Sequence, residues 1–140
     1  MNIIEKSLAI ALSAYSGKED TDGHTYILHP LRVMAKMTTE DEMAAALLHD
    51  VVEDSEYNAK GLMDAGIPSH VVGAVECLTR VDGETYEDFI TRVQSNSLAT
   101  AVMIADLEDN MDLQKYPKIG EQECLRISQY HKAWKKLTQL

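Results

Sequence analysis

Three things are scarce in this chain. Basic residues number 13 against 23 acids, a formal net charge of −10. A nucleic-acid-binding domain usually carries a basic face, so this balance argues against such a partner. Cysteine is limited to Cys77 and Cys124. Two thiols set within apolar helical patterns read as reduced core residues of a cytoplasmic protein, not as a disulfide framework. Long apolar runs are also missing: the longest falls far short of a membrane span. The opening MNIIEKSLAIALSAYSG mixes acid and base and lacks a signal-peptide layout. No repeat, low-complexity tract or linker interrupts the chain, and 140 residues suffice for one domain with a real core. Residues 1–140 therefore read as a single domain.

What is present is helical periodicity. Residues 2–16 place Ile4, Leu8, Ala11 and Tyr15 on one face. Residues 17–28 are polar and punctuated by glycine, as in a loop. Pro30 suits a first helical turn, which predicts His29 at the N-cap of a helix through HPLRVMAKM. Thr39 and Glu42 form a capping box for a helix running to about Glu53. A short helix follows over 58–65, ended by Gly66, and Pro68 and Ser69 open another through Leu78. Thr85 with Asp88 caps a helix to about Gln94, and Ser97 caps the apolar LATAVMIADLEDNMDL. Pro117 and Gly120 break the chain before a last helix over 121–138. Strand signals are weak, so the class is all-α with about eight helices.

The candidate chemistry centres on AAALLHDVVED. On one continuous helix, His49, Asp50, Glu53 and Asp54 fall within about 140° of arc. Three acids and an imidazole beside an apolar run are costly to bury unless a cation neutralises them. His29 and Asp106 stand in equally apolar settings, TYILHP and VMIADL. Imidazole with carboxylate is the usual donor set for Mg, Mn, Fe or Zn. Each position also has a structural reading: a helix-capping histidine, an aspartate bonded to backbone or arginine, and a solvated acidic face.

The ordered pattern H-P, A-x-L-L-H-D-V-V-E-D, A-D-x-x-x-N-M, in YILHPLRVM, AALLHDVVEDS and IADLEDNMDL, resembles the HD superfamily of metal-dependent phosphohydrolases. Within it the chain most resembles the ppGpp 3′-pyrophosphohydrolase branch, the hydrolase domain of Rel/SpoT proteins and their small stand-alone relatives. The similarity covers about residues 8 to 115. It implies a compact HD-type helical bundle over 1–140 and a divalent metal, most often Mn²⁺, with Mg²⁺, Fe²⁺ or Zn²⁺ as alternatives. It also implies His29, His49, Asp50 and Asp106 as metal ligands, Glu53 and Asp54 as the acids that orient and deprotonate water, and Asn110 as a contact to the nucleoside.

The chain departs from the branch where cations are expected. The loop that resembles R-K-S-G-E-P-Y in relatives reads Asp20-Thr21-Asp22-Gly23-His24-Thr25-Tyr26, keeping the glycine and tyrosine. Leu107 and Asp109 stand where relatives carry Arg and His. Lys18, Arg32, Arg80 and Lys115 are the nearby cations available to a phosphate, and Arg80 follows a Leu-Thr that resembles the family's V-T-K. Three readings follow: hydrolysis of ppGpp or a related nucleotide, hydrolysis of a less charged nucleotide or phosphomonoester, and a non-catalytic metal- or nucleotide-binding module. A small-molecule nucleotide is the expected partner, with neither nucleic acid nor membrane. Trp134 suits a homodimer contact or the packing of the last helix.

Overall fold

The computed structural model describes residues 1–139. Its helices are α1 (Ile3–Tyr15), α2 (Leu28–Ala35), α3 (Glu40–Leu48), α4 (Val51–Asp54), α5 (Ala59–Asp64), α6 (Ser69–Cys77), α7 (Tyr86–Gln94), α8 (Ser97–Asn110) and α9 (Glu121–Thr138). A 3₁₀ turn, Leu113–Lys115, links the last two. The all-α class holds, and each expected helical run is present, one of them broken in two. Among the described residues the only β pairing is an isolated bridge between Glu19 and Thr25.

Helix α3 is the centre. Its second half, Ala44 to Leu48, is fully buried, and α1, α2, α6 and α8 pack around it. Three consecutive alanines let those neighbours approach closely, and a helix apolar on every side is stable only when surrounded. The Thr39–Glu42 capping box is formed, with the Thr39 side chain accepting from the Glu42 N–H at 3.1 Å. A second box, Asn2 with Glu5, opens α1.

Several sequence expectations need correction. The helix expected to run to Glu53 breaks at His49–Asp50, where Asp50 adopts φ −106° and ψ 2°. The His49 Nδ1 donates to the Ala46 carbonyl at 2.6 Å. That oxygen is the acceptor the Asp50 N–H would use in an unbroken helix. His29 is not the N-cap of α2; Ile27 is, and His29 lies in the first turn. Pro30 remains tolerable because the first four N–H groups of a helix lack intrahelical partners anyway. Asn96, not Ser97, caps α8. On α1 the buried face is Ser7, Ile10, Ala11, Ala14 and Tyr15, so Ile4 and Leu8 lie at its margin. Neither cysteine is a core residue: Cys77 is half-buried and Cys124 is exposed, both free. Trp134 donates to Glu108 at 3.0 Å and packs within its own chain. No helix among the described residues is long and apolar enough to cross a membrane.

The loop before α2 is shaped by its own polar groups. Asp20 Oδ1 accepts from the N–H groups of Asp22 and His24, each at 2.9 Å, and Gly23 takes φ +83°. The Tyr26 N–H donates to the Lys18 carbonyl at 2.9 Å, which fixes the chain as it enters α2.

Truncating the central helix should cost far more than uncapping it. Leu48→Ala should lower unfolding free energy by about 2–5 kcal/mol, and Thr39→Ala by about 1 kcal/mol. Urea titration of both variants checks the order; a reversed ranking would mean that α3 is not the core element.

Candidate functional site

The site forms where α2, the α3–α4 break and α8 converge. His29 comes from α2, His49 and Asp50 from the break, and Asp106 from the middle of α8. One candidate ligand atom from each of the four lies within 4.8 Å of the others. Asp106 Oδ1 is 2.7 Å from His29 Nε2 and 3.2 Å from His49 Nε2. Asp50 Oδ2 is 3.1 Å from His49 Nε2 and accepts from the Tyr26 hydroxyl at 2.5 Å.

Both imidazoles are held by their far nitrogens. His49 Nδ1 faces the Ala46 carbonyl, and His29 Nδ1 lies 2.6 Å from Asp109 Oδ2. A carbonyl or carboxylate oxygen can only accept, so Nδ1 carries the hydrogen in each ring. Each Nε2 then points into the cluster. Two imidazoles and two carboxylates, preset in this way, fit a divalent cation such as Mn²⁺, Fe²⁺ or Zn²⁺.

Without a cation the charges neutralise one another. Burial alone would lower the His29 value, yet hydrogen bonds to Asp106 and Asp109 carry it above 6.5. Burial likewise opposes a charged His49, but Asp50 and Asp106 raise it well above 6.5. Burial would raise Asp50 and Asp106; His49 draws Asp50 down, and both histidines draw Asp106 down.

Glu53 and Asp54 stand at the mouth of the site and shift in the direction opposite to Asp50 and Asp106. Partial burial and the charge of Asp50 raise both above their ordinary values. Glu53 Oε1 accepts from the Arg80 backbone N–H at 2.6 Å. The Arg80 guanidinium lies over the rings of Tyr86 and Phe89, at 5.5 and 5.9 Å. Its loop is pinned by Arg92, which donates to both oxygens of Glu84 at 2.9 Å and to the Thr79 carbonyl at 2.8 Å. Arg92 holds the Glu84 carboxyl down to about 2. The Lys18 ammonium donates to the Asp54 carbonyl.

Two lobes open beside the cluster. One, about 230 Å³, is bordered by Tyr26, Arg32, Asn110 and Lys115; the other, about 140 Å³, by Glu53, Arg80, Tyr86 and Tyr130. A groove of about 250 Å³ between α7 and α9 is slightly larger but lies outside the four-residue cluster.

In the sequence Asp109 stands out only as a departure from the pattern of relatives. The structure buries it at 4% exposure and pairs it with Arg32 Nε at 2.7 Å and Lys115 Nζ at 3.1 Å. Arg32 and Lys115, nominated as substrate cations, are thus engaged with a carboxylate. The i, i+3 spacing of Asp106 and Asp109 puts both on one face of α8, a signal readable beforehand. Tyr26 was also readable, as the retained tyrosine of the loop; nothing in the sequence marked Tyr130.

No family model matches the chain. The guanosine-3′,5′-bis(diphosphate) 3′-pyrophosphohydrolase of Vibrio cholerae is 34% identical over 89 residues, 61% of this chain and 12% of that protein. The GTP pyrophosphokinase of Streptomyces coelicolor is 30% identical over 132 residues, 86% of this chain and 16% of that protein. The chain therefore spans less than a fifth of the length of these relatives. A solved structure described as a metazoan ortholog of SpoT that hydrolyses ppGpp superimposes with a TM-score of 0.74. It is 27% identical and is covered over 84% of its length by 98% of this chain.

The pKa directions set the pH dependence of the chelator-treated protein. The raised histidines stabilise the fold fully below 6.5, and that contribution is lost as pH rises through their folded values. The lowered Asp50 and Asp106 contribute fully above 3.8, and their contribution is lost as pH falls through their folded values. Thermal unfolding from about pH 3 to about 9 should show greatest stability between about 4 and about 6.5. A maximum above neutrality would indicate neutral imidazoles in the folded, metal-free state.

Proposed function

We propose that this chain, which belongs to the HD-domain hydrolase branch of the Rel/SpoT family, is a divalent-metal-dependent phosphohydrolase that releases pyrophosphate from the 3′ position of ppGpp or a related nucleotide. The observation that carries this reading is the convergence of His29, His49, Asp50 and Asp106 within 4.8 Å. These four would hold the metal, with Mn²⁺ the ion we favour. When bound, such an ion supplies positive charge against phosphoryl oxygens and makes water easier to deprotonate.

The remaining work falls to the chain's own groups. Glu53 and Asp54 orient the attacking water and take its proton, and their raised values bring them nearer the pH at which a general base works best. The water oxygen bonds to the phosphorus next to the ribose 3′ oxygen; the bond to that oxygen breaks, the oxygen takes up a proton from the protonated acid pair or from solvent to become the 3′ hydroxyl, and pyrophosphate is released. Arg80 and Lys18 contribute positive charge at the mouth. Asn110, one turn beyond Asp106, offers the nucleoside a neutral amide. On this reading residues 1–140 are one HD-type domain, and the free thiols suit the cytoplasm.

A second reading has specific support. Arg32 and Lys115 face Asp109, which leaves fewer cations for a multiply charged 3′-pyrophosphate group and favours a less charged nucleotide or phosphomonoester. A purely metal-binding module is disfavoured, because ligands alone would not need the Glu53–Asp54 pair.

Asp50→Ala and Asp106→Ala should each abolish stoichiometric Mn²⁺ uptake while wild type retains it, as read by metal analysis. With Mn²⁺, ppGpp should yield pyrophosphate; phosphate released only from monoesters selects the second reading, and nucleotide binding without turnover selects the module. Glu53→Gln combined with Asp54→Asn should lower kcat by about 10²–10⁴-fold; unchanged turnover would remove the pair from the chemistry.

A further inference from the structure

We propose that Asp109 is a positioning residue for His29: an ionised carboxylate that fixes the imidazole's tautomer and aims Nε2 at the metal. The inference rests on the functional reading above and assigns a role to a residue at which the chain departs from its relatives.

Two independent features carry it. The first is the symmetry of the two rings. His49 is oriented through Nδ1 by a backbone carbonyl, at 2.6 Å. His29 lies in the first turn of α2, and its Nδ1 meets Asp109 Oδ2 at the same distance. Asp109 supplies from a side chain what Ala46 supplies from the backbone. The second is how tightly Asp109 is itself held. Oδ1 accepts from Arg32 Nε at 2.7 Å. Oδ2 accepts from the Arg32 terminal nitrogen and from Lys115 Nζ, both at 3.1 Å, besides His29. Two cations on one buried carboxylate keep it ionised and leave it one rotamer. An ionised carboxylate can only accept, so the hydrogen stays on Nδ1 and the Nε2 lone pair stays free once the ring is neutral. The negative charge also strengthens the ring as a donor to a cation. A histidine at this position could not act as a fixed anion between Arg32 and Lys115.

A merely structural bridge between α2 and α8 would affect stability and leave metal affinity alone. The test therefore reads affinity and tautomer in the folded protein. Mn²⁺ binding is measured by the loss of the free-ion EPR signal for wild type, Asp109→Ala and Asp109→Asn. We expect affinity to fall about 10–100-fold in Asp109→Ala and about tenfold in the near-isosteric Asp109→Asn, which retains an acceptor but no charge. In the Zn²⁺-loaded wild type, ¹⁵N-histidine NMR should show a protected His29 Nδ1–H, absent from Asp109→Ala. If Asp109→Ala does not fold, Asp109→Asn decides. Wild-type affinity in a folded variant overturns the assignment and leaves the functional reading standing. A wild type that takes up no metal overturns the functional reading, and this inference with it.

Discussion

The molecule is organised around one costly juxtaposition: Asp106, in the middle of an apolar helix, touches both His29 and His49 while Asp50 stands alongside. Charges of this kind are tolerated inside a bundle only when each has a partner. In the absence of a cation the partners are protons on the imidazoles. A bound cation would displace those protons and take the same atoms as ligands. The surrounding architecture meets this demand. The α2 helix starts early enough to bring His29 inward, α3 stops where His49 must turn, and the Asp20–Tyr26 loop delivers a hydroxyl to Asp50.

The excess of acid over base is less of an obstacle than the net charge suggests, because cations are placed where they count. Arg32 and Lys115 neutralise Asp109 directly behind the site. Arg92 is spent on Glu84 and nearby carbonyls, which holds the loop that carries Arg80. Arg80 is left with its backbone N–H on Glu53 and its exposed guanidinium over the rings of Tyr86 and Phe89. Local arrangement, more than the total, sets the field that an anionic substrate meets.

Periodicity and caps made most of the fold legible. The Thr39 and Thr85 caps and the breaks near Gly66 and Gly120 are local effects, and local effects can be read in a sequence. Asn2 with Glu5 carries the same signature at the start of α1. The four clustered residues were legible through their order along the chain. What could not be read depended on contacts between distant segments. Asp109 acquires its meaning from Arg32, 77 positions away, and from His29, 80 positions away. The register of α2 shifted because proline is acceptable anywhere in a helix's first turn, so Pro30 limited the start without fixing it.

On the proposed reading, the break after Leu48 lets residues 49–54 divide between two chemistries. In an uninterrupted helix Glu53 would sit one turn beyond His49, on nearly the same face, and four acidic and imidazole groups would crowd a single surface. The His49 bond to the Ala46 carbonyl interrupts that register. Asp50 is left inside with the histidines, whereas Glu53 and Asp54 turn to the mouth, toward the Arg80 and Lys18 loops. Their environments then push the carboxyls apart: Asp50 falls below its ordinary value, while Glu53 and Asp54 rise above theirs. Separating titratable groups in this way is how one short segment can supply both a donor that stays charged and a base that can accept a proton. The separation of Asp50 from Glu53 and Asp54 thus depends on one side-chain-to-backbone hydrogen bond, and that same bond sets the tautomer of His49.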